Sequence, residues 1–404
     1  MLAAEAFASD GWRFPHRECG FPRSRRRIYC VAVRAAVREE DDQEKPQEKT
    51  IFVLSEKPNR RAAVEEVVKR ANRESLADEI IHQEEDGENV AHDGMKVAAD
   101  HRSGYVALIG KPNVGKSTLL NGIIGQKLSI VTAKPQTTRH RILGICSGPN
   151  YQMILYDTPG VITKQMHKLD ELMMKSVRSA TINSDCLLLI ADICHPPEQV
   201  LGTLDEGAVN LIKSKPTLLV LNKKDKVKQS EIQKKQEWYE KNSGMDEVIP
   251  VSAKFGLGIE EVKQWLVSKL PLGPAYYPRD IVSEHQERFF VSEIFREKIF
   301  QLYREEIPYC SQVNVVRYVE REAPAKDFIE IEILVEKESQ KAILLGKEGK
   351  ALKTLATAAR LDIEDFVDRK CYLEIKVKVK EDWRKNEELL EHFGYSGKIA
   401  SASL

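Results

Sequence analysis

The sequence predicts an α/β domain, a mainly parallel sheet covered by helices on both faces, followed by a smaller α+β domain. Three observations predict it. From residue 104 to about residue 270, short apolar runs alternate with longer polar-apolar stretches, the pattern of buried parallel strands and the helices that cover them. The stretch "GKPNVGKST", residues 110–118, joins the first apolar run to the first helical stretch with the spacing of a phosphate-gripping loop. Beyond residue 284 the order becomes helix, strand, strand, helix, a Gly-x-x-Gly turn, helix and strand.

The ends of the chain lie outside both units. Residues 1–38 carry eight Arg, no Lys and three acidic residues. An Arg-rich, acid-poor start of this length reads as an organelle transit peptide; a secretory signal and a disordered basic tail are the alternatives. Residues 39–100 hold 18 acidic and nine basic side chains, too much charge for a core, and read as an acidic, mostly disordered linker. Within it "NRRAAVEEVVKRANRESLADEIIH" has the spacing of one amphipathic helix. Residues 396–404 form a short tail. Lys+Arg and Asp+Glu balance at 62 each, so any attraction to nucleic acid or membrane has to be local. Seven Cys without paired spacing read as reduced thiols. No run of about 18 apolar residues is present to span a bilayer.

Residues 101–272 form the first unit. "YVALIG", "QMILYDTP", "CLLLIADI", "TLLVLNK" and "EVIPVS" read as its strands; "KSTLLNGIIG", "EQVLGTLDEGAVNLIKS", "SEIQKKQEWYEKN" and "GIEEVKQWLVSKL" read as its helices. In the loop, Gly110 and Gly115 let the backbone wrap a phosphate while N–H groups and the helix N-terminus face the anion. Lys116 reaches the β- and γ-phosphates, and Ser117 offers its hydroxyl to Mg²⁺. Asn113, Val114 and Thr118 complete the expected nucleotide contacts.

The base is read further on. "NKKD" (residues 222–225) ends an apolar run, where an open α/β sheet places its ligand. Asp225 can accept from both N1–H and the 2-amino group of guanine, a donor pair adenine lacks. Asn222 can bond the N7/O6 side and brace the loop, with Lys223 beside it. "SAK", comprising Ser252, Ala253 and Lys254, ends the next strand and offers the Ala253 N–H to O6. "DTPG" (residues 157–160) places Asp157 to hold Mg²⁺ through water and Gly160 N–H against the γ-phosphate; in "KPQTTRHR", Thr138 is the threonine expected to complete the Mg²⁺ shell. These segments define a P-loop GTPase domain.

Lys116, Thr138, Gly160 and Asn113 are the candidate catalytic residues. Small Ras-like G proteins carry, directly after the last motif, a Gln that orients the attacking water. Val161 cannot do so, and slow intrinsic turnover follows. The side-chain carbonyl of Asn113 could ligate a monovalent cation, K⁺, bridging the phosphates; the other reading is that Asn113 braces the loop.

After a Pro-rich linker at residues 273–284, "HQERFFVSEIFREKIFQLYREEIP" reads as one long amphipathic helix. "SQVNVVRYVE", "DFIEIEILVEKE" and "CYLEIKVKVK" alternate as strands; "SQKAILL" and "KALKTLATAARL" read as two short helices around "GKEG". That order is the one of a type II KH domain, expected over residues 285–395. Gly346 and Gly349 let the turn approach a nucleic-acid backbone and clamp about four single-stranded nucleotides. Lys347, Lys350 and Lys353, with Lys341 close by, can pair with phosphates. Residues 281–404 hold 24 acidic and 21 basic side chains, so RNA binding is expected to be focal, opposed slightly by Glu348. The alternating "KVKVK" reads equally as a solvated strand face.

From about residue 104 to residue 395 the chain resembles the Era family, bacterial-type GTPases with an N-terminal G domain and a C-terminal KH domain. The resemblance rests on "GKPNVGKSTLLN", "KPQTTRHRILGI", "YDTPGV", "LNKKD" and "VSAK", and on "REEIPY", "LLGKEGKALKTL" and "CYLEIKVKVKEDWR". It implies a GTPase that binds GTP/GDP and Mg²⁺, couples its two domains to nucleotide state, and binds small-subunit ribosomal RNA near its 3′ end during assembly of the small ribosomal subunit. Val161 fits the hydrophobic residue of that family. The first hundred residues have no bacterial counterpart and imply an organellar form, in the chloroplast stroma rather than the mitochondrial matrix. A monomer is expected, with the pre-ribosomal small subunit as partner and peripheral membrane contact without a spanning segment. Alternative readings are another translation-related GTPase, or an RNA-binding scaffold whose nucleotide is structural.

Overall fold

The computed structural model of the chain describes residues 100–162, 165–201, 214–322 and 324–395. The expected transit peptide, acidic linker and tail lie outside the described residues, as does most of the helix expected over "EQVLGTLDEGAVNLIKS".

The first unit is built on six strands: β1 (Arg102–Ile109), β2 (Ile142–Ser147), β3 (Tyr151–Asp157), β4 (Cys186–Asp192), β5 (Thr217–Asn222) and β6 (Glu247–Pro250). They lie in the order β2-β3-β1-β4-β5-β6. All neighbours are parallel except β2, which runs antiparallel to β3 at the edge. The helices are α1 (Lys116–Ile124), α2 (Lys168–Asn183), the short α3 (Pro197–Leu201), α4 (Gln229–Asn242) and α5 (Ile259–Lys269). Strand side chains alternate between the faces. Val106 and Leu108 pack with Leu119 and Ile123 of α1 and Val262 and Leu266 of α5. Tyr105, Ala107 and Ile109 pack with Ala180 of α2 and Ile232 and Tyr239 of α4. A strand buried on both sides has no polar face, which is why these runs read as continuously apolar.

Two elements go beyond the sequence expectation. Strand β2 is a short edge strand beside a polar loop, so its run "ILGICS" carries no turn signal ahead of it. Helix α2 spaces Leu169, Met173, Met174 and Val177 at helical intervals. That stripe faces away from the sheet towards the second unit, joining Trp383, Leu390 and Tyr395 in one apolar cluster.

The second unit comprises α6 (Glu287–Leu302), α7 (Ile307–Cys310), β7 (Gln312–Val319), β8 (Asp327–Val335), α8 (Glu338–Leu345), α9 (Lys350–Val367), β9 (Cys371–Val379) and α10 (Glu387–His392). Strand β8 is central, antiparallel to β7 and parallel to β9. Helices α6, α8 and α9 bury one face of this sheet around Ile329, Ile331 and Ile333. The helix expected to run unbroken to Pro308 stops at Leu302. Glu305 takes the left-handed conformation, and α7 restarts with Pro308 in its first turn, where a missing N–H costs nothing. Helix α9 is 18 residues long rather than short.

The segment expected as a linker is fastened down. Gln152 Oε1 accepts from Tyr276 N at 2.7 Å and Tyr277 N at 2.9 Å. Ser283 Oγ donates to Leu143 O at 2.6 Å, and Ile145 N donates to Val282 O at 2.8 Å. This anchoring to β2 and β3 fixes where α6 begins.

Candidate functional site

The phosphate-type loop sits between β1 and α1, and its glycines are dictated by close approaches. Gly115 has φ +97°, and a Cβ there would lie 2.2 Å from Asn222 Nδ2; one at Gly110 would lie 2.3 Å from Ile190 O. Gly160 lies so close to Pro112 that a Cβ would meet its Cα at 2.6 Å. Lys116 is buried and folds its Nζ back to Gly110 O (3.1 Å) and Lys111 O (2.9 Å). Burial lowers its pKa to about 8, against the pull of Asp157. Val114 is buried in the core under the loop. Pro112, Lys116, Thr118, Gln136, Thr138 and Gly160 line one cleft.

Ser117, Thr138 and Asp157 converge there. Ser117 Oγ donates to Asp157 Oδ2 at 2.6 Å and lies 2.9 Å from Thr138 Oγ1. Thr137 turns the other way, to Thr132 Oγ1 at 2.6 Å. Burial raises the Asp157 carboxyl pKa, and Asp157 Oδ1 is buried without a hydrogen-bond partner. Two hydroxyls and an under-coordinated carboxylate form a hard-oxygen set that fits Mg²⁺, whose charge would offset that upward displacement.

At the base end, Asn222 spends its amide inside the protein. Nδ2 donates to Val114 O at 2.8 Å, and Oδ1 accepts from Ala253 N at 3.0 Å. The Ala253 N–H expected to meet O6 is therefore engaged in bracing the loops. Lys223 Nζ bonds Asn113 O (2.8 Å) and Asp192 Oδ2 (2.7 Å). Asp225 accepts from Ser252 Oγ, and Lys254 lies over the Phe255 ring. Asn113, at φ +61°, donates from Nδ2 to Ala133 O at 3.2 Å, the bracing role.

At the Gly-x-x-Gly turn, Gly346 has φ +66° and Gly349 φ +72°. A Cβ at Gly346 would lie 2.6 Å from the Ala351 Cβ, whereas one at Gly349 would meet nothing within 4 Å. Lys347 and Lys353 are exposed. Lys350 is not a free cation: its Nζ pairs with Glu348 at 2.8 Å. In "KVKVK", Lys376 pairs with Glu330 at 2.6 Å and Lys378 with Glu332, making that strand face an ion-paired ladder.

The model of the 50S ribosome-binding GTPase family matches residues 105–223, and that of the KH domain matches residues 306–384. The chloroplastic GTPase ERA1 of Zea mays is 66% identical over 306 residues, covering 76% of this chain and 73% of that protein. The chloroplastic ERA-like GTPase of Arabidopsis thaliana is 67% identical over 299 residues, 74% of this chain and 70% of that protein. The chain belongs to the Era family of GTPases. A solved structure of Era in complex with MgGDPNP and nucleotides 1506–1542 of 16S ribosomal RNA superposes with TM-score 0.68 at 34% identity, covering 73% of this chain and 99% of that one.

In this Era chain the two units meet at residues to which the sequence motifs assign no role, although Arg139 and His140 lie within "KPQTTRHRILGI" and Pro308 and Tyr309 within "REEIPY". The loop carrying Thr138 lies against the KH domain. Arg296 Nη1 donates to Thr137 O at 2.5 Å. Arg139 donates to Ser311 O (2.8 Å), Pro308 O (3.0 Å) and Tyr309 O (2.8 Å). Val131 N and Lys127 Nζ bond the two Glu297 oxygens at 2.9 and 2.6 Å. His140 stacks on Tyr395, centroids 4.2 Å apart. Arg296 is paired with Glu293 at 2.5 Å, both buried. Burial alone would push the Glu293 carboxyl up, but the Arg296 guanidinium outweighs it and the pKa is lowered. The partners that bridge the two units stand more than 150 residues apart, so no local spacing marks them; the signal available is a cluster of charged residues, including the Glu293–Arg296 pair, inside an otherwise apolar helix.

Proposed function

We propose that this Era-family GTPase is a slow GTP-hydrolysing switch that binds small-subunit ribosomal RNA through its KH domain and assists maturation of the small ribosomal subunit in the chloroplast stroma. The Zea mays and Arabidopsis thaliana relatives are named chloroplastic, and an Era relative is solved with a 16S ribosomal RNA segment. A monomer with peripheral membrane contact completes the reading. Among the described residues no helix is long and apolar enough to cross one.

In this reading Lys116 meets the β- and γ-phosphates, Asp225 accepts the two guanine donors, and Ser117, Thr138 and Asp157 hold Mg²⁺. When bound, the metal supplies charge for the phosphate oxygens. Val161 contributes no water-orienting group. Asn113 would turn from Ala133 towards a K⁺ in the nucleotide-bound state. The observation that carries the switch is the placement of Thr138 between Thr137 and Arg139, both held by KH-domain groups. A change at the RNA-binding domain therefore reaches a Mg²⁺ ligand through one peptide unit.

The test is GTP hydrolysis by the mature protein in KCl and in NaCl, with and without a fragment of chloroplast small-subunit ribosomal RNA. Turnover that K⁺ and RNA raise supports the switch. No turnover under any condition replaces it with the scaffold reading. Asn113→Ala that loses the K⁺ preference supports the ligand role; an unchanged preference refutes it.

A further inference from the structure

We infer that the outward face of the KH sheet carries a second site for single-stranded RNA, formed by Arg317, Arg321, Phe328 and Tyr372 and separate from the loop at residues 346–349. The inference rests on the proposed RNA-binding function.

Helices cover only one face of this sheet, over Ile329, Ile331 and Ile333. Alternation sends Phe328, Glu330 and Glu332 of β8 to the other face. Strand β9 pairs with β8 in register, Phe328 opposite Tyr372 and Glu332 opposite Lys376. This outward face has two halves. In one, Lys376 pairs with both Glu330 and Glu374 and Lys378 pairs with Glu332, which leaves one carboxylate in excess and offers RNA no net cation. In the other, the Phe328 and Tyr372 rings stack with centroids 6.1 Å apart and planes 19° apart. Tyr372 is 57% exposed. The guanidinium carbons of Arg317 and Arg321 lie 5.7 and 5.8 Å from the Phe328 ring centre.

The nearest carboxylates are committed elsewhere. Glu320 and Asp327 both bond Arg369, and Glu330, which stands opposite Arg317, and Glu374 both bond Lys376; exposed Glu322 is a further acidic neighbour. Arg317 and Arg321 form no ion pair among the described residues. Two flat rings flanked by two cations match a base stacked on a ring and its phosphate on a guanidinium. An acidic peptide would use the arginines and leave the rings bare, so single-stranded RNA is the occupant that uses the whole cluster. Phe328 and Tyr372 begin their strands. The Gly-x-x-Gly turn lies at the far end of α9, whose 18 residues span about 27 Å. The four or so nucleotides held by that turn do not cover both sites, so the second site adds affinity only for longer RNA.

Two labelled single-stranded RNAs from the 3′ end of chloroplast small-subunit ribosomal RNA, about 6 and about 20 nucleotides long, bracket the span of one KH clamp. Their Kd values are measured with the full chain by fluorescence anisotropy. The triple variant Arg317→Ala, Arg321→Ala, Tyr372→Ala is expected to bind the long RNA about tenfold more weakly, as loss of stacking and two phosphate contacts predicts. Binding of the short RNA and RNA-free GTP hydrolysis stay unchanged. Tyr372→Leu, which keeps an apolar group on the sheet, should show a smaller loss with an unchanged thermal midpoint. Unchanged long-RNA affinity in the triple variant, or equal loss for both RNAs, overturns the second site. Loss of polyglutamate binding without loss of RNA binding overturns it in favour of an acidic protein partner. The variant with Lys347→Asp and Glu348→Asp reads the other loop independently. If it keeps full RNA affinity, the Gly-x-x-Gly assignment fails, while the outward face is still judged by its own variants.

Discussion

Two glycine-framed loops in this chain are proposed to meet phosphate, and they are built in opposite ways. The loop at residues 110–118 is walled in: Val114 and Lys116 are buried, the loop is cross-braced by Asn222, Lys223 and Asp157, and a Cβ at Gly115 has no room. The loop at residues 346–349 stands open, with exposed lysines and empty space where a Gly349 Cβ would go. The first is a preformed cavity that the G-domain core dictates. The second is a junction of two helix ends that offers backbone and charge, and any selectivity has to come from surfaces beyond it. Substitutions should therefore couple folding and binding in the first loop and separate them in the second.

The largest effect expected is for Gly115→Ala. The left-handed backbone costs a non-glycine residue about 1–2 kcal/mol, and displacing the Asn222 amide from its two backbone partners adds about 1–3 kcal/mol. Together these lower guanine-nucleotide affinity at least about 30-fold and lower the urea midpoint as well. Gly349→Ala meets only the backbone strain and keeps its nucleotide affinity. Titration with a fluorescent GDP analogue and urea unfolding of both variants check this; equal behaviour would erase the distinction between the loops.

Next comes the contact that links the two regions. Arg296→Met strands Glu293 in the interior, a change expected to cost about 3–5 kcal/mol. The double variant Glu293→Leu, Arg296→Met recovers most of that, because the desolvated charges leave together. It does not recover the donor to Thr137 O. Calorimetry should show the double variant near wild-type stability, and hydrolysis assays should show its GTPase rate indifferent to RNA. A double variant that still responds to RNA would separate stability from coupling and remove Arg296 from the switch.

The walled-in loop was legible from sequence because its chemistry is local: fixed spacings place Gly115, Lys116 and Ser117 at a strand–helix junction. Asp157 and Asn222 follow from apolar runs that end in polar residues, since parallel strands deliver their C-terminal ends to one edge. Thr138 is the threonine expected from the sequence, and the structure sets the pair apart: Thr138 Oγ1 lies beside Ser117, while Thr137 turns to Thr132. Strand β2 and helix α2 escaped: one is a short edge strand, and the other packs its stripe on a distant part of the chain. The contacts of Arg139, His140, Arg296 and Tyr395 across the two units were illegible because their partners lie in the other unit; the charged cluster of Glu293 and Arg296 in an apolar helix is the one hint the sequence carries.

The same interface carries a pH dependence. His285 is buried beside the Phe289 and Phe290 rings, with Nε2 3.3 Å from Arg141 O. Burial lowers its pKa to about 4, with the Arg141 carbonyl and Glu293 pulling upward and the Arg141 cation downward. The folded form thus resists a proton that the unfolded chain takes up near pH 6.5. The contribution of His285 is fully present above about pH 6.5 and is lost towards pH 4 by up to about 1.4 kcal/mol per pH unit, and buried His140, also lowered, adds a contribution of the same sign. His285→Gln should flatten that part of the profile; urea midpoints at pH 8, 6 and 5 decide it, and parallel profiles for the two proteins would assign the slope to other groups.

The smallest effect sharpens the comparison most, because it asks whether a lysine matters by its charge or by its place. Lys378 is 60% exposed and paired with Glu332, which is 18% exposed. Such a pair is worth about 0.2–1 kcal/mol, so Lys378→Ala should move the urea midpoint barely beyond error. RNA affinity should stay within about twofold, since the charge it removes was already cancelled by Glu332. Lys353→Ala, beside the open loop, deletes a lysine of the same formal charge with no ion pair of its own among the described residues. It should lower the slope of log affinity against log salt by about one. Equal slopes for the two variants would mean that RNA senses the domain as a diffuse field. Different slopes would mean that it reads the lysines around the loop one at a time.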